Sequence, residues 1–315
     1  MHVIGQSSTF YLCVVVVLCY ATCIGATVSY LSSSEVQVGV DTSFGCSITH
    51  LQAVVKGTNV VNDNDRGRQV QPSFYSGPRP YHDCEWNGQP WAWNPISSGD
   101  YAGHSSEVLS FSNDGSTIKC LVRPLQWGCN QVACNCTFEM EYSVSGTAVI
   151  ATITLHNNRD DATDYGRFGQ ELPAAYTNGI LYRMVGYNGG EPWQMGNLTE
   201  WNADFTGKVW IPGKVDVTEP WVGFVSDEGF MMALYNPGVT SFLGGFNEAS
   251  KKGSGGEKDS QCGYMAAYAE CDLPAQGDFT YSYALVIGNV DDARRTIYDL
   301  HSQHPLFSKV DSPLC

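Results

Sequence analysis

Alternation between apolar and polar positions dominates the chain and predicts β-strands. In one segment the apolar positions are Phe138, Met140, Tyr142 and Val144, and after a turn at Ser145-Gly146 they are Val149, Ala151, Ile153 and Leu155. Side chains of a strand point alternately to its two faces, so residues 137–156 are predicted to form a hairpin with one buried face. The same period at residues 279–287, and apolar runs at 221–226 and 230–235 around a turn, predict further long strands.

One segment near the end of the chain has the spacing of a helix instead. Asp291 is placed to cap it, Pro305 follows its end, and its apolar side consists of Ala293, Ile297 and Leu300. This pattern predicts a helix over residues 291–302. So many antiparallel strands in one chain imply two packed sheets. The predicted fold class is therefore all-β, a large antiparallel β-sandwich with one C-terminal helix.

The start of the chain predicts export. Residues 1–26 contain no Lys, Arg, Asp or Glu, and residues 10–24 form an apolar run that ends in small residues. This segment resembles a secretory signal peptide, although it lacks the usual basic start. An uncleaved anchor is the alternative, but the run is shorter than the roughly 20 residues of a membrane span. We expect a secreted, extracellular protein whose mature chain, residues 27–315, is a single β-sandwich domain without a membrane span.

Charge narrows the classes of partner. The chain has 32 acidic and 17 basic residues, which gives a formal net charge of -15. Nucleic acid is disfavoured as a partner, because its binding depends on clustered basic residues that neutralise phosphates. Charged residues make up 16% of the chain, below the roughly 25% of ordinary globular domains. This composition is typical of extracellular β-proteins.

Twelve cysteines fit an oxidising compartment. Cys13, Cys19 and Cys23 lie in the predicted signal peptide, which leaves nine cysteines. Because nine is an odd number, one of them has no partner within the chain, and this is predicted to be Cys315, the last residue. The candidates for four disulfides are Cys46, Cys84, Cys120, Cys129, Cys134, Cys136, Cys262 and Cys271. A metal cluster in the segment 129–136 is the alternative, but no histidine lies there, so disulfides are favoured.

Short motifs add two modification sites and one weak metal site. Asn135 and Asn197 each begin an N-glycosylation triplet. The segment 62–65, Asn-Asp-Asn-Asp, offers oxygen ligands to calcium, but it lacks the glycine and the distal glutamate of an EF-hand, so a turn is favoured. The sequence has no serine-hydrolase elbow, zincin motif or phosphate-binding loop. We expect no cofactor, with calcium as the alternative, and no catalytic metal.

Two segments combine aromatic rings with guanidinium and amide groups. The first spans residues 66–104, and the second, residues 165–179, reads YGRFGQELPAAYTNG. Rings cover the apolar faces of a sugar, and amide or guanidinium groups bond its hydroxyls or a carboxylate, so this mixture favours glycan binding. The predicted binding residues are Arg66, Arg68, Gln71, Trp91, Trp93, Asn94, Arg167 and Tyr176. The alternative is structural, with the rings in the core and the arginines stacked on them.

The chain also resembles secreted carbohydrate-active β-sandwich proteins, among them polysaccharide lyases and mutarotase-like sandwiches. The resemblance rests on GRQVQPSFYSGP, WNPISSGDYAGHSSEV, GQELPAAYT and WVGFVSDEGFMMALYNPG, spread over residues 62–240. In such proteins a face of the sandwich or its loops hold an extended sugar chain. The resemblance therefore implies a polysaccharide or glycan as partner, and it transfers no catalytic role to a particular residue.

The favoured activity is that of a polysaccharide lyase, which cleaves a uronate-containing glycan by β-elimination. Such an enzyme neutralises the sugar carboxylate and removes the adjacent proton with a base. The predicted roles fall to Arg66, Arg68 and Gln71 for neutralisation, His82 or His104 as base, and Tyr75 or Tyr101 as acid. If residues 66–73 form a strand, alternation sets Arg66, Arg68 and Val70 on one face and Gln69, Gln71 and Ser73 on the other.

Three other functions stay open. A glycoside hydrolase needs two carboxyl groups, and the predicted pair is Glu171 with Asp100 or Glu107. A non-catalytic glycan-binding protein needs only the aromatic and hydrogen-bonding groups. An extracellular matrix component is the third, although mineral-binding proteins usually have acidic runs and none here exceeds two residues.

Overall fold

A computed structural model describes residues 27–202, 213–247, 252–307 and 315. Its strands, in chain order, are β1 (Val28–Ser32), β2 (Val36–Asp41), β3 (Ser47–Ala53), β4 (Val70–Ser73), β5 (Glu85–Trp86), β6 (Gln89–Pro90), β7 (Pro95–Ile96), β8 (Glu107–Asn113), β9 (Thr117–Arg123), β10 (Leu125–Gln126), β11 (Cys136–Ser145), β12 (Ala148–Asn158), β13 (Arg167–Asn178), β14 (Arg183–Gly186), β15 (Thr199–Asn202), β16 (Gly213–Asp216), β17 (Trp221–Val225), β18 (Phe230–Tyr235), β19 (Ser241–Asn247), β20 (Cys262–Asp272) and β21 (Gln276–Asn289). A 3₁₀ turn covers Thr42–Phe44, and helix α1 covers Val290–Gln303.

The strands form two antiparallel sheets and one small hairpin. The first sheet has the order β1-β2-β3-β4-β13-β20-β19-β16, with the short strands β7 and β10 attached through β4. The second sheet has the order β15-β14-β17-β18-β21-β12-β11-β9-β8. The hairpin of β5 and β6 is a separate two-stranded sheet. The predicted all-β class with antiparallel sheets and one C-terminal helix is confirmed.

The main core lies between the two sheets. Along β11, Phe138, Met140 and Tyr142 are fully buried in it, whereas Glu139 and Glu141 between them are exposed. β11 pairs with β12 across a tight turn, so the hairpin predicted from alternation is confirmed. The apolar face of each strand thus decides which side of its sheet meets the other sheet.

Helix α1 covers the opposite face of the second sheet. Its buried side consists of Ala293, Ile297 and Leu300, which pack on side chains of β17, β18 and β21. The helix begins directly after β21, and Asn289 takes the cap position without a side-chain cap bond. The prediction that Asp291 caps the helix is therefore wrong. Asp291 lies in the first turn, where a negative charge still favours the helix.

Three disulfides connect described residues. They are Cys84–Cys129, Cys134–Cys136 and Cys271–Cys315. The prediction that Cys315 is the odd cysteine is wrong, because the fold brings the last residue beside β20, a proximity that position along the chain does not reveal. The cysteines of the segment 129–136 belong to two separate disulfides, in agreement with the prediction of disulfides over a metal cluster in this segment.

Cys46 and Cys120 are both buried in the main core and are not disulfide-bonded in the structure, and the predicted fourth disulfide is expected to join them in the secreted chain. A hydrogen bond between the two thiols, together with burial, raises the pKa of Cys46 far above its ordinary value. Because the thiols adjoin, we expect non-reducing peptide mapping of the secreted chain to find Cys46–Cys120 as its fourth disulfide, with no bound zinc. Alkylation of both thiols in the denatured, unreduced protein would contradict this.

Several predictions concern export and modification. The predicted signal peptide, residues 1–26 with its three cysteines, lies outside the described residues. In the part of the chain that the structure describes, no helix has the length and apolar character needed to cross a membrane. Asn135 and Asn197 are exposed, and the Asn135 amide donates to Asp160. Glycosylation at either asparagine stays a prediction.

Candidate functional site

A bulge in β13 shapes the outer face of the first sheet, the face turned away from the main core. The pairing of β13 with β4 and β20 shifts register between Glu171 and Ala174. Leu172 and Ala175 point into the main core, whereas Ala174 packs with Tyr264 on the outer face. β-bulges commonly re-aim a side chain next to a functional site. This one leaves Glu171 on the outer face, beside Tyr264.

Glu171 is a partly buried carboxylate held by phenol groups. Tyr264 Oη donates to Glu171 Oε1 at 2.5 Å, and Tyr75 Oη donates to Oε2 at 3.3 Å. Burial raises the pKa of Glu171 above the ordinary carboxyl value, while hydrogen bonds from Tyr264, Ser73 and Tyr75 act against that rise. Burial and the adjacent Glu171 charge raise the pKa of Tyr75 and of Tyr264 well above that of a free phenol. Both phenols therefore stay protonated donors at neutral pH.

Tyr75 is fixed in place by Gln170, a fully buried side chain. Gln170 Oε1 accepts from the Tyr75 backbone N–H at 2.8 Å, and Gln170 Nε2 donates to the Tyr75 carbonyl at 2.7 Å. The chain therefore leaves β4 after Ser73 yet stays beside β13, with the Tyr75 phenol directed at Glu171. Burial makes the loss of either hydrogen bond costly.

Glu171 lines a cleft of about 760 Å³. One side is the outer face of β13, β19 and β20, and the other is the irregular segment 86–101 with Trp127. The aromatic lining consists of Tyr75, Trp86, Trp91, Tyr101, Trp127, Tyr176 and Tyr264, and the polar lining includes Asp65, Arg68, Gln71, Ser73, Asn87, Asn94 and Asn247. Rings among amides and hydroxyls can cover the faces of a sugar and bond its hydroxyl groups.

Among the described residues that line the cleft, Arg68 supplies the one guanidinium, and it is 9% exposed. Its Nε lies 3.1 Å from Asp65 Oδ2, and its Nη1 donates to Ser260 O at 2.9 Å. The Asp65 carboxylate offsets the charge of Arg68. A ligand carboxylate would therefore compete with Asp65 for this guanidinium.

Gln71 and Asn94 line the cleft and also brace its wall. Gln71 Oε1 accepts from the Ser98 N–H at 3.0 Å. Asn94 Nδ2 donates to Phe74 O at 2.7 Å, and its Oδ1 accepts from Trp91 Nε1 at 3.0 Å. These amides hold the irregular wall segment against β4 and set the orientation of the Trp91 ring.

The strand expected over residues 66–73 begins only at Val70, because a turn occupies the residues before it. The prediction that Arg66, Arg68 and Val70 share one strand face is therefore wrong. Arg66 lies outside the cleft lining, where it donates to three backbone carbonyls and stacks on Phe44 with 4.6 Å between guanidinium and ring centre.

Two predicted binding tryptophans have different environments. Trp91 lines the cleft, but Trp93 is buried in the main core with 1% of its surface exposed, beneath the Arg159 guanidinium. The structural alternative, a core ring with a stacked arginine, therefore describes Trp93. Residues two apart share a face only within a regular strand, and this segment is irregular.

Neither predicted histidine base is among the residues that line the cleft. His82 is exposed, with its ring edge against Tyr81 at 4.3 Å between centres. His104 Nδ1 lies 3.0 Å from Asp100 Oδ2 in a separate turn. Arg167 is exposed at the far end of β13 and faces acidic residues of β20. Tyr75, Tyr101, Glu171 and Tyr176 are the other predicted site residues, and these four line the cleft.

The carboxyl pair predicted for a hydrolase is not assembled in the cleft. Glu171 lines it, but Asp100 is fully buried and accepts backbone N–H groups of its own turn. Glu107 is exposed and pairs with Arg123 at 3.2 Å. The second carboxyl in the described cleft lining is Asp65, which is paired with arginine.

The segment 62–65 forms a turn. Asn62 and Asp65 each accept the backbone N–H two residues on, and Asp63 pairs with Lys258 at 2.8 Å. Among the described residues, no three His, Cys, Asp or Glu side chains are grouped to hold a metal ion. Calcium binding stays an untested prediction.

Comparison with known proteins defines the fold. No protein-family model and no curated protein matches the chain. Solved structures do match over most of its length. A proposed aldose 1-epimerase from Escherichia coli K12 is 10% identical, with 84% of this chain and 99% of that chain covered and a TM-score of 0.50. A galactose mutarotase related enzyme from Lactobacillus acidophilus is 11% identical, with 83% of this chain and 97% of that chain covered and a TM-score of 0.50. A galactose mutarotase-like protein from Lactobacillus casei is 12% identical, with 83% of this chain and 100% of that chain covered and a TM-score of 0.50.

The chain has a mutarotase-like fold. The resemblance to mutarotase-like sandwiches seen in the sequence is thereby confirmed at the level of the fold. Three aromatic residues of the cleft are not among the predicted binding residues: Trp86, which lies in the aromatic segment 66–104, and Trp127 and Tyr264, which lie outside both predicted segments. Strand β20, which carries Tyr264, is apolar on both faces, so it gives no alternation signal.

Proposed function

We propose that the protein acts on a saccharide bound in the outer-face cleft and that Glu171 exchanges a proton with the sugar. The observation that carries the proposal is a partly buried carboxylate with two phenol donors in an aromatic cleft. Its raised pKa brings Glu171 closer to the range in which a side chain both accepts and releases protons near neutral pH. The mutarotase-like fold supports a sugar as the ligand.

The reaction that these groups support best is interconversion of sugar anomers. Glu171, as base, takes the proton of the anomeric hydroxyl while a proton from Tyr75 or Tyr264 reaches the ring oxygen. The bond between the anomeric carbon and the ring oxygen breaks, and a carbonyl forms. Reclosure on the other face of the carbonyl returns both protons and gives the second anomer. A single carboxylate with phenol donors suffices for this chemistry.

A uronate lyase is the second candidate, favoured by Arg68 and Tyr75 in the same cleft. The substrate carboxylate would bind Arg68, and the proton on the adjacent carbon would pass to Glu171. A carbon–carbon double bond would form as the bond to the leaving oxygen breaks, and Tyr75 would protonate that oxygen. Pairing of Arg68 with Asp65 weakens this candidate, because part of the neutralising charge is already used.

One experiment compares both reactions with simple binding. The purified protein is incubated with a panel of aldoses, observed by magnetisation exchange between anomers, and with uronate polymers, observed by the ultraviolet absorbance of unsaturated ends. We expect faster anomer exchange for at least one aldose. Unsaturated products from uronate polymers would show that the protein is a lyase and not an enzyme of anomer interconversion. Binding without either reaction would leave a glycan-binding protein and would refute the proton transfer assigned to Glu171.

The pH dependence of turnover is expected to report Glu171. A base acts when ionised, so turnover should rise with pH through the Glu171 pKa, which burial places above the ordinary carboxyl value of about 4.3. Tyr264→Phe removes a hydrogen bond that lowers this pKa, so the rise should move to still higher pH. Tyr268→Phe, on the same strand but outside the cleft lining, should leave it in place. A rise unmoved by Tyr264→Phe would contradict the assignment.

A further inference from the structure

A cluster of three tryptophans lines the cleft beside the small hairpin of β5 and β6. Trp86 belongs to β5, and its ring centre is 5.1 Å from that of Trp91 and 5.9 Å from that of Trp127, with edge-to-face geometry. All three rings are partly buried and line the cleft. Cys84–Cys129 joins the start of the hairpin to the segment that follows Trp127.

Two rings of this tryptophan cluster, Trp91 and Trp127, pack closely against backbone glycines, which restrains them. A Cβ on Gly128 would lie 2.6 Å from the Trp91 ring, and one on Gly67 would lie 2.8 Å from the Trp127 ring. Glycine at both positions thus lets the backbone support one side of each ring. None of the three belongs to an apolar core cluster of the described residues, in contrast to Trp93. Their packing therefore does not explain why three large rings line an open cleft.

We propose that the tryptophan cluster is a stacking platform for sugar units adjacent to the unit at Glu171, so that the ligand is an oligosaccharide or a glycan chain. This inference rests on the proposed saccharide function of the same cleft. A cleft of about 760 Å³ is in the range that holds a ligand of several rings. Rigid rings bind a sugar face without losing much side-chain freedom. The paired charge of Arg68 favours neutral units over uronates.

The test is the dependence of affinity on chain length. The probes are β-1,4- and β-1,3-linked glucose oligomers and oligogalacturonates of one to six units, titrated against tryptophan fluorescence. Affinity should rise with length in a neutral series. Trp86→Ala should lower the ratio of hexamer to monomer affinity by about tenfold, as expected for loss of a stacked ring. Trp86→Tyr should recover most of that ratio, and Phe111→Ala, an exposed ring outside the cleft, should not change it.

Each outcome decides the proposal. Equal affinity for monomer and hexamer in every series, no binding of any probe, or an unchanged ratio in Trp86→Ala would overturn the platform. A length effect confined to oligogalacturonates would overturn the neutral specificity. Glu171→Gln separates this inference from the function it rests on. If affinity rises with chain length in wild type and in Glu171→Gln but neither protein turns over sugar, the platform stands and the catalytic role of Glu171 is refuted. If wild type turns over sugar but its affinity does not depend on chain length, the catalytic role stands and the platform is refuted.

Discussion

Glu171→Gln is expected to lower saccharide turnover by about 10²- to 10⁴-fold, the range typical of a positioned acid or base. Glutamine has the same shape as glutamate, and its carbonyl can still accept a hydrogen bond from a phenol, but it neither takes up nor releases a proton. Binding of the sugar should fall far less than turnover. Anomer exchange measured at saturating sugar gives the comparison. Glu270→Gln, an exposed carboxyl on β20 outside the cleft lining, is the matched control and should keep full turnover.

The stability of this variant gives the control for folding. Burial raises the pKa of Glu171, so the folded protein holds that proton more tightly than the unfolded chain does. The resulting stabilisation is complete below the unfolded pKa and is lost as pH rises through the folded pKa. At neutral pH the ionised carboxylate weakens the fold, so Glu171→Gln should be no less stable than wild type in urea. A loss of turnover that only follows a loss of folded protein would contradict the catalytic role.

Arg294→Ala is expected to lower the free energy of unfolding by about 3–5 kcal/mol, because it leaves a buried carboxylate without its partner. Glu219 is fully buried and accepts from Arg294 Nη2 at 2.9 Å, from Arg294 Nε at 3.2 Å and from Tyr298 Oη at 2.6 Å. Arg294 also donates to Gly196 O, so this network fastens α1 to the loop beside the second sheet. Urea unfolding measures the loss.

The neighbouring residue provides the control for Arg294. Arg295 is exposed and pairs with Asp292 within the same helix, so Arg295→Ala should change stability by no more than about 0.5 kcal/mol. Burial acts to raise the pKa of Glu219, but hydrogen bonds led by Arg294 outweigh it and hold that pKa below the ordinary value. This stabilisation is present above the unfolded pKa and is lost as pH falls through the folded pKa, so the deficit of Arg294→Ala should shrink in acid. Equal losses in the two variants would contradict the network.

The regular part of the fold was predictable because its signal is local. Alternation in β11 and β12 and the spacing of Ala293, Ile297 and Leu300 each reflect which side of one element meets the core. The hydrophobic effect acts on every residue of such an element, so a few positions suffice to define it. The disulfide partner of Cys315 depends instead on a tertiary contact with Cys271, 44 residues away in the sequence, which no local pattern encodes.

The cleft was predictable in composition but not in geometry. Glu171, Tyr75 and Trp91 were selected because aromatic and polar groups gather in two segments, and these residues do line one cleft. Alternation failed for Arg66 because a turn precedes β4, and it failed for Trp93 because that segment is irregular. The bulge in β13 is marked by Pro173, which has no backbone N–H for the ladder, but the sequence does not show which side chains the bulge turns to the outer face.

The most direct test of the saccharide function is a crystal structure of Glu171→Gln grown with the oligosaccharide that binds best. The account predicts a sugar ring with a hydroxyl or its ring oxygen within hydrogen-bonding distance of the residue 171 side chain, and a second unit against the tryptophan cluster. A rival cavity of about 710 Å³ lies beside α1, lined by Glu35, Lys56, Phe230 and Gln303 among others. Sugar bound in that cavity, with the outer-face cleft empty, would contradict the assignment of the saccharide site to Glu171 and its cleft.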